Sequence, residues 1–403
     1  MGLVFSLLQK ISRPFRSLPP PSDITSKKNN DRKNIVIVGG GFAGNLVAKL
    51  LSAKLDHSRF NLILVSARSG YVHLIAGARL VVTSEGNLEN EAIIPYDRLF
   101  PAGKGTYIQG TVSEIQEDSE GIEKGGDVVL RNGERIRYHS LVLATGSAWS
   151  GALNLPDSDT DLHATIRDWR NKFATAKHVV IVGGGGVGIE TVGEIKDAFP
   201  TKKVTLIHSQ KQLLNNAYPA KFRIALENKV RRANVDLILG DRVDTFPSPG
   251  TVGVTTRSGK ELPDADLVIP SLVAGPKTEY LTSFDATVLT QSGFVKVEST
   301  LQVKGHPGVF ALGDIIDWEE QKQASKAGAH AGVVVANVLS YIAGRPVKKV
   351  YGGTPEFILI PIGKNGGSGY LGILCGIIVG DWFSRTMKGK TLMIPHIRKS
   401  LGY

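Results

Sequence analysis

One pattern restricts the fold of this chain more than any other, and it occurs twice. Asn34-Ile35-Val36-Ile37-Val38 runs into Gly39-x-Gly41-x-x-Gly44, and then into Asn45 to Leu55, where Leu46, Val47, Leu50 and Leu51 recur at helical spacing. A short Val- and Ile-rich run reads as a strand of a buried parallel sheet. The second copy is His178 to Val182, then Gly183-x-Gly185-x-x-Gly188, then a helix carrying Ile189, Val192 and Ile195. In such a unit the first glycine makes the tight turn, and the second lets the backbone approach a pyrophosphate. The third lets helix and strand pack closely. Phosphates then sit on the free N–H groups of a helix N-terminus. One G-x-G-x-x-G is a weak signal, but two copies with strand and helix flanks are a strong one. Two dinucleotide sites on one chain imply one flavin and one nicotinamide. The predicted fold is α/β, with two Rossmann-like dinucleotide-binding domains and a small C-terminal region.

The 403 residues leave room for two or three domains. The formal charge of +11 suits anionic lipid, nucleic acid or phosphate-bearing cofactors, and equally well serves ordinary solubility. No nucleic-acid motif or aromatic-rich basic groove is legible, so nucleic acid is not an expected partner. No metal site is assigned. Cys375 is the single cysteine. That excludes an internal disulfide framework and an internal redox-active pair. Electrons must therefore pass to something other than a disulfide within the chain.

Residues 1–33 read as a tail. Val4, Leu7, Leu8, Ile11, Phe15 and Leu18 fall near one helical face beside Lys10, Arg13 and Arg16, and no acid precedes Asp23. This reads as a mitochondrial presequence or an interfacial amphipathic helix. Met1-Gly2 with Ser6 also fits the N-myristoylation pattern. A cleaved presequence would lose Gly2, so these two readings exclude each other.

The first dinucleotide domain is expected over 34–150, with a second part over 271–345. Phe60 to Val65 is its next strand, and Ser66 stands where a carboxylate normally holds the adenosine ribose; Arg68 is near enough in sequence to assist. Arg79 is either a phosphate or flavin contact or a surface arginine. Tyr107 to Val112 reads as a sheet strand, and Asp127 to Ile136 as a hairpin around Asn132-Gly133. Ser140 to Ala144 leads into Thr145-Gly146, the first exit from that domain. The second domain is expected over 151–270, with Lys203 to Ile207 as its second strand. That strand ends in His208-Ser209-Gln210-Lys211, and the missing acid together with Lys211 tilts the site toward NADPH, or toward tolerance of both NADPH and NADH. Val309 to Leu312 followed by Gly313-Asp314 places a carboxylate at a strand end, where it can accept hydrogen bonds from a polyol, and a helix follows over 323–339. Residues 346–403 form the C-terminal region. Within it Leu371 to Val379 is too short to cross a bilayer and reads as a core strand or buried helix. With Trp382, Phe383, Arg385, Lys388 and Lys390 behind it, the other reading is a surface lying on a membrane.

With these motifs together, residues 34–384 resemble the two-dinucleotide-binding flavoproteins. Gly39 to Gly44, Leu143-Ala-Thr-Gly-Ser147, Gly183 to Glu190 with Glu194-Ile-Lys196, and Val204 to Ser209 are most similar to the apoptosis-inducing-factor 2, or ferroptosis-suppressor, type. The resemblance implies non-covalent FAD and reduction of a membrane quinone or similar small acceptor by NADPH or NADH. It implies that Gly39, Gly40, Gly41, Phe42 and Ala43 bind the FAD pyrophosphate with Arg79 nearby. It further implies that the Val112 backbone meets adenine, that Asp314 holds the ribityl chain and that Glu190 lies near the nicotinamide. A residue capping its own helix is the plainer reading of Glu190. Ser66 departs from the acid usual in the family. Two rival functions remain open: a reductase of a ferredoxin-like protein, and a death-associated flavoprotein with structural FAD.

Overall fold

Two parallel sheets organise the computed structural model, which describes residues 32–118, 125–248, 250–374 and 376–403. The tail expected at the N-terminus, with its presequence and myristoylation readings, lies outside the described residues, as does Cys375. Lys33–Tyr403 forms one compact unit.

The first sheet has six strands in the order Gln302–Val303, His306–Ala311, Ser140–Leu143, Lys33–Val38, Phe60–Ser66, Thr106–Gln109. All pairs are parallel except the first. Ile35, Val36, Ile37, Leu141, Val142 and Leu143 are fully buried, as expected for a sheet covered on both faces. Helices Phe42–Lys54 and Ala324–Ile342 pack against each other over this sheet. The second sheet runs Asp236–Leu239, Lys203–His208, His178–Val182, Leu267–Pro270, all parallel. In both sheets the glycine-turn strand has its following strand on one side and the returning strand on the other. A crevice therefore opens beyond the strand ends, where ligands of such sheets bind.

The chain leaves the first sheet through Ser147–Trp149 and returns through Val273–Pro276, and these two strands pair antiparallel. A C-terminal antiparallel sheet of Phe357–Ile362, Gly366–Leu371 and Ile377–Val379 then packs on the helix Gly186–Ala198.

Two expectations are corrected here. Tyr107 to Val112 is not one strand: Thr106–Gln109 joins the first sheet, whereas Val112–Glu117 opens a separate antiparallel sheet with Gly126–Leu130 and Arg135–Tyr138. Gly110-Thr111 breaks the run, and the side chain of Leu130 leaves no room for a Cβ at Gly110. Leu371 to Val379 is not core either. Leu371 ends one strand of the C-terminal sheet and Ile377–Val379 forms the next, and between them Ile373 is 50% and Leu374 83% exposed. The Asn132-Gly133 hairpin forms as the sequence predicts, with Gly133 at positive φ.

Candidate functional site

The two glycine turns share one steric logic. Gly39 has φ +111°, and a Cβ there would lie 2.3 Å from the Ala144 carbonyl oxygen at the end of the neighbouring strand. Gly183 has φ +127°, and its Cβ would lie 2.4 Å from the corresponding oxygen of Ser271. A side chain at Gly44 or Gly188 would come within 1.9 Å of the carbonyl of Gly39 or Gly183, so helix and turn touch only because both are glycine. The middle glycines differ in kind: a Cβ at Gly41 or Gly185 would meet nothing within 4 Å. Among the described residues no packing calls for glycine there, and the space above each turn is open. Gly41 and Gly185 are also the N-caps of their helices, without any side-chain cap, so the first-turn N–H groups remain available to an anion. Phe42 and Ala43 begin the first of these helices.

The floor beneath each turn is bonded in place. Tyr96 donates to the Gly40 carbonyl at 2.5 Å and Asn45 Nδ2 donates to the same oxygen at 2.9 Å. Asn45 Oδ1 is buried with no protein partner. Ser66 is buried under Gly40. Arg68 does not assist it, because its guanidinium donates to the carbonyls of Leu155 and Pro156. In the second unit His208 Nδ1 accepts from the Gly184 N–H at 3.1 Å, so Nε2 carries the proton and donates to the Leu214 carbonyl at 2.9 Å. Burial pushes the imidazole pKa down, in keeping with a neutral ring.

Asp314 lies at the C-terminal end of the strand His306–Ala311, one residue after Gly313 at φ +78°. Its Oδ2 accepts from Ser147 Oγ at 2.9 Å. Desolvation raises its pKa, with Ser147 and then Lys322 and His330 opposing. The Gly313 N–H donates to His330 Nδ1 at 3.2 Å, and His330 Nε2 lies 2.9 Å from Glu320 Oε1. Thr145 Oγ1 donates to the Lys277 carbonyl at 2.6 Å, and Gly146 has φ +71°, so this turn stands where the two connecting strands meet. Val112 lies at the start of the separate small sheet.

Glu190 does not cap its own helix. It sits one turn inside Gly186–Ala198, and Oε1 accepts from Lys388 Nζ at 2.5 Å, with both side chains about 15% exposed or less. Burial raises its carboxyl pKa; Lys388 first, and then Arg79, pull it back. Arg79 is not on the surface. Its Nε and Nη2 donate to Glu194 at 2.7 and 2.8 Å, and Nη2 donates to the Gly389 carbonyl at 2.7 Å. Its guanidinium thus faces Glu194 and the C-terminal chain. Lys388 was legible in sequence only as one of several basic residues, and Glu194 only as part of a motif. No local pattern announces either role. No group of three or more His, Cys, Asp or Glu able to hold a metal occurs among the described residues.

A chain with two such cradles, each shaped by the same three glycines, matches the family model described as pyridine nucleotide-disulphide oxidoreductase over residues 33–331. The chain belongs to that family. Membership makes it an oxidoreductase that works with FAD and a nicotinamide nucleotide. The lone cysteine sets it apart from members that carry a redox disulfide. Among its relatives, the FAD-dependent oxidoreductase FVFD30 of Flammulina velutipes is 46% identical over 323 residues, covering 80% of this chain and 99% of the relative. Ferroptosis suppressor protein 1 of Mus musculus is 31% identical, with 91% of this chain and 95% of the relative covered. The sulfide:quinone oxidoreductase of Aquifex aeolicus has the same fold, with a TM-score of 0.74 at 19% identity over 91% of this chain and 92% of that one.

Proposed function

We propose that this family member transfers electrons from NAD(P)H, through FAD at the first glycine turn, to a quinone drawn from a membrane surface. The observation that carries the reading is the pair of open cradles at Gly41 and Gly185, with Asp314 beside the first and Glu190–Lys388 beside the second. When bound, FAD supplies the two-electron chemistry, taking a hydride from the nicotinamide and passing electrons to the acceptor. The chain's own residues bind and orient. Gly39 to Gly44 hold the pyrophosphate against the helix N-terminus, Ser66 reaches the adenosine ribose, and the Val112 backbone meets adenine. Asp314 accepts hydrogen bonds from the ribityl hydroxyls, and Thr145-Gly146 borders the site. Gly183, Gly185 and Gly188 form the corresponding cradle for the nicotinamide nucleotide. Glu190 and Lys388 keep a proton at Nζ in a buried position near the nicotinamide, where a lone carboxylate would be strongly disfavoured.

Acceptance of NADPH is supported by His208. Both of its ring nitrogens are engaged, so the position offers no free acceptor to a ribose 2′-hydroxyl. Lys211 stands close by in an exposed stretch. Arg242 follows a segment whose Gly240 and Asp241 N–H groups donate to the carbonyls of Gln210 and His208. A membrane surface as the quinone source is supported by the exposed Ile373, Leu374 and Trp382 and by the basic Arg385 and Lys390 that follow. No helix of the described residues is long and apolar enough to cross a membrane.

The test is anaerobic stopped-flow reduction by NADPH and by NADH, followed by reoxidation with a water-soluble short-chain quinone or with a long-chain quinone in anionic vesicles. The reading expects bleaching of the flavin band by NADPH, and faster long-chain turnover in vesicles than in detergent. A flavin that neither nucleotide bleaches would return the structural-FAD reading. A reduced flavin that only a ferredoxin-like protein reoxidises would return the other.

A further inference from the structure

The helix Gly77–Val82 is buried along its whole length, yet its middle carries a guanidinium. A buried charge persists only when it is paired and its donors are bonded. Arg79 meets that condition with a two-point fork on Glu194 and a third bond to the Gly389 carbonyl. It thereby joins an excursion of the first unit, the helix behind the second glycine turn, and the C-terminal chain. Such a pair is weak evidence for stability, since apolar residues of similar volume would serve as well. What the fork adds is a fixed geometry.

That geometry falls on one peptide. Arg79 binds the carbonyl of Gly389, while the side chain of the preceding residue, Lys388, reaches Glu190 at 2.5 Å. Arg385–Gly389 is a π turn, closed by the Lys390 N–H donating to the Arg385 carbonyl at 2.9 Å. Such turns are rare and concentrate at functional sites. Gly389 has to be glycine, because a Cβ would lie 2.9 Å from the Lys364 carbonyl oxygen. A second anchor follows three residues on: His73 Nε2 donates to the Leu392 carbonyl at 2.7 Å. Burial holds that imidazole neutral, with its pKa pushed down to about 4. The backbone carrying Lys388 is thus tied on its C-terminal side by two buried donors of the first unit. Glu190 and Glu194 are one helical turn apart and would repel each other unless each had its own cation.

We propose that Arg79 and Glu194 are positioning residues, a buried clasp that sets Lys388 against Glu190 and so fixes the charge at the nicotinamide side of the reaction centre. The clasp rests on the role given above to the Glu190–Lys388 pair. It assigns Arg79 to the geometry of that pair and not to a cofactor phosphate.

The test uses full-length, FAD-loaded protein and the variants Arg79→Lys, Glu194→Gln, Lys388→Met and Arg79→Lys/Lys388→Met. Flavin content is read by absorbance, and the limiting rate of flavin reduction by stopped flow across pH. Lysine at 79 keeps the charge but loses the fork. Flavin content should match the native protein, and the limiting rate should fall roughly ten- to hundred-fold with half-saturation unchanged. The double variant should be no slower than Lys388→Met alone. Glu194→Gln loses the charged fork at nearly constant size, so it should slow the limiting rate as Arg79→Lys does. Release of Lys388 from Glu190 should move the Glu190-dependent inflection to higher pH, whereas mere loss of the like charge at 194 would move it lower. Native rates in Arg79→Lys or Glu194→Gln, with Lys388→Met slow, would overturn the clasp alone. Failure of Arg79→Lys to hold FAD would overturn it in favour of a cofactor contact. A native rate in Lys388→Met would remove the reading beneath it, and the clasp with it.

Discussion

Replacing Lys388 by methionine isolates the buried pair and gives a sharp quantitative expectation. Glu190 keeps only 14% of its side chain exposed and takes its shortest bond from Lys388. Breaking a buried pair by removing one partner typically costs about 3–5 kcal/mol, because the remaining charge is left uncompensated. Glu190 has an escape, since burial already raises its carboxyl pKa and only Lys388, with a smaller contribution from Arg79, opposes this. In Lys388→Met the folded-state pKa rises further above the unfolded value. A carboxyl raised in this way favours the folded state when protonated, and that stability is lost as pH rises through the folded pKa. The variant should therefore lose about 3 kcal/mol at pH 8 and roughly 1 kcal/mol at pH 5, where protonation relieves the charge. Urea denaturation of the FAD-loaded protein at both pH values, followed by tryptophan fluorescence, measures the difference. Adding Glu190→Gln should abolish the pH dependence. Equal losses at pH 5 and pH 8, or no relief in the double variant, would refute the argument.

Two further outcomes follow from geometry. Gly41→Ala puts a methyl group into open space at an N-cap with φ −75°, so fold stability should change by less than about 1 kcal/mol. FAD affinity should fall more than tenfold, as read by flavin fluorescence on titration of apoprotein; unchanged affinity would mean that no phosphate approaches there. His306 bridges Glu117 at 2.7 Å and Asp285 at 3.2 Å, tying the small antiparallel sheet to the segment that follows the return strand. These carboxylates, Glu117 first, raise its pKa, so the bridge stabilises fully at acid pH and fades as pH rises through the folded value. His306→Gln should cost about 1–2 kcal/mol at pH 6 and less at pH 9, by denaturant titration; a loss that grows with pH would contradict the charged bridge.

What could be read in the sequence was whatever rests on local sterics. The glycine turns were legible because Gly44 and Gly188 each press on the turn at the end of their own strand, although Gly39 and Gly183 also press on Ala144 and Ser271 far along the chain. The Asn132-Gly133 hairpin was legible because positive φ is a property of the turn itself. Leu371 to Val379 was misread because composition alone does not distinguish an apolar hairpin tip from core. The difference lies in whether Ile373 and Leu374 are covered, and among the described residues they stand exposed. Val112 was placed in the wrong sheet because only Gly110-Thr111 separates two β runs of similar composition.

Arg79 shows the limit most clearly. Its partners are 115 and 310 residues away in sequence, and nothing near position 79 distinguishes an arginine that faces a phosphate from one that forks a carboxylate. The same distance explains why Lys388 was read as one charge in a basic run, although it completes a pair with Glu190 across 198 residues. Composition and local pattern reach the two cradles, which are each self-contained. They do not reach the buried charges between them, whose existence depends on the C-terminal chain folding back over both units. Those charges sit beside the second cradle and take their geometry from partners in three separate stretches of the chain. The chemistry on the nicotinamide side should therefore be tested at Glu190, Lys388, Arg79 and Glu194 as well as at the glycine turns.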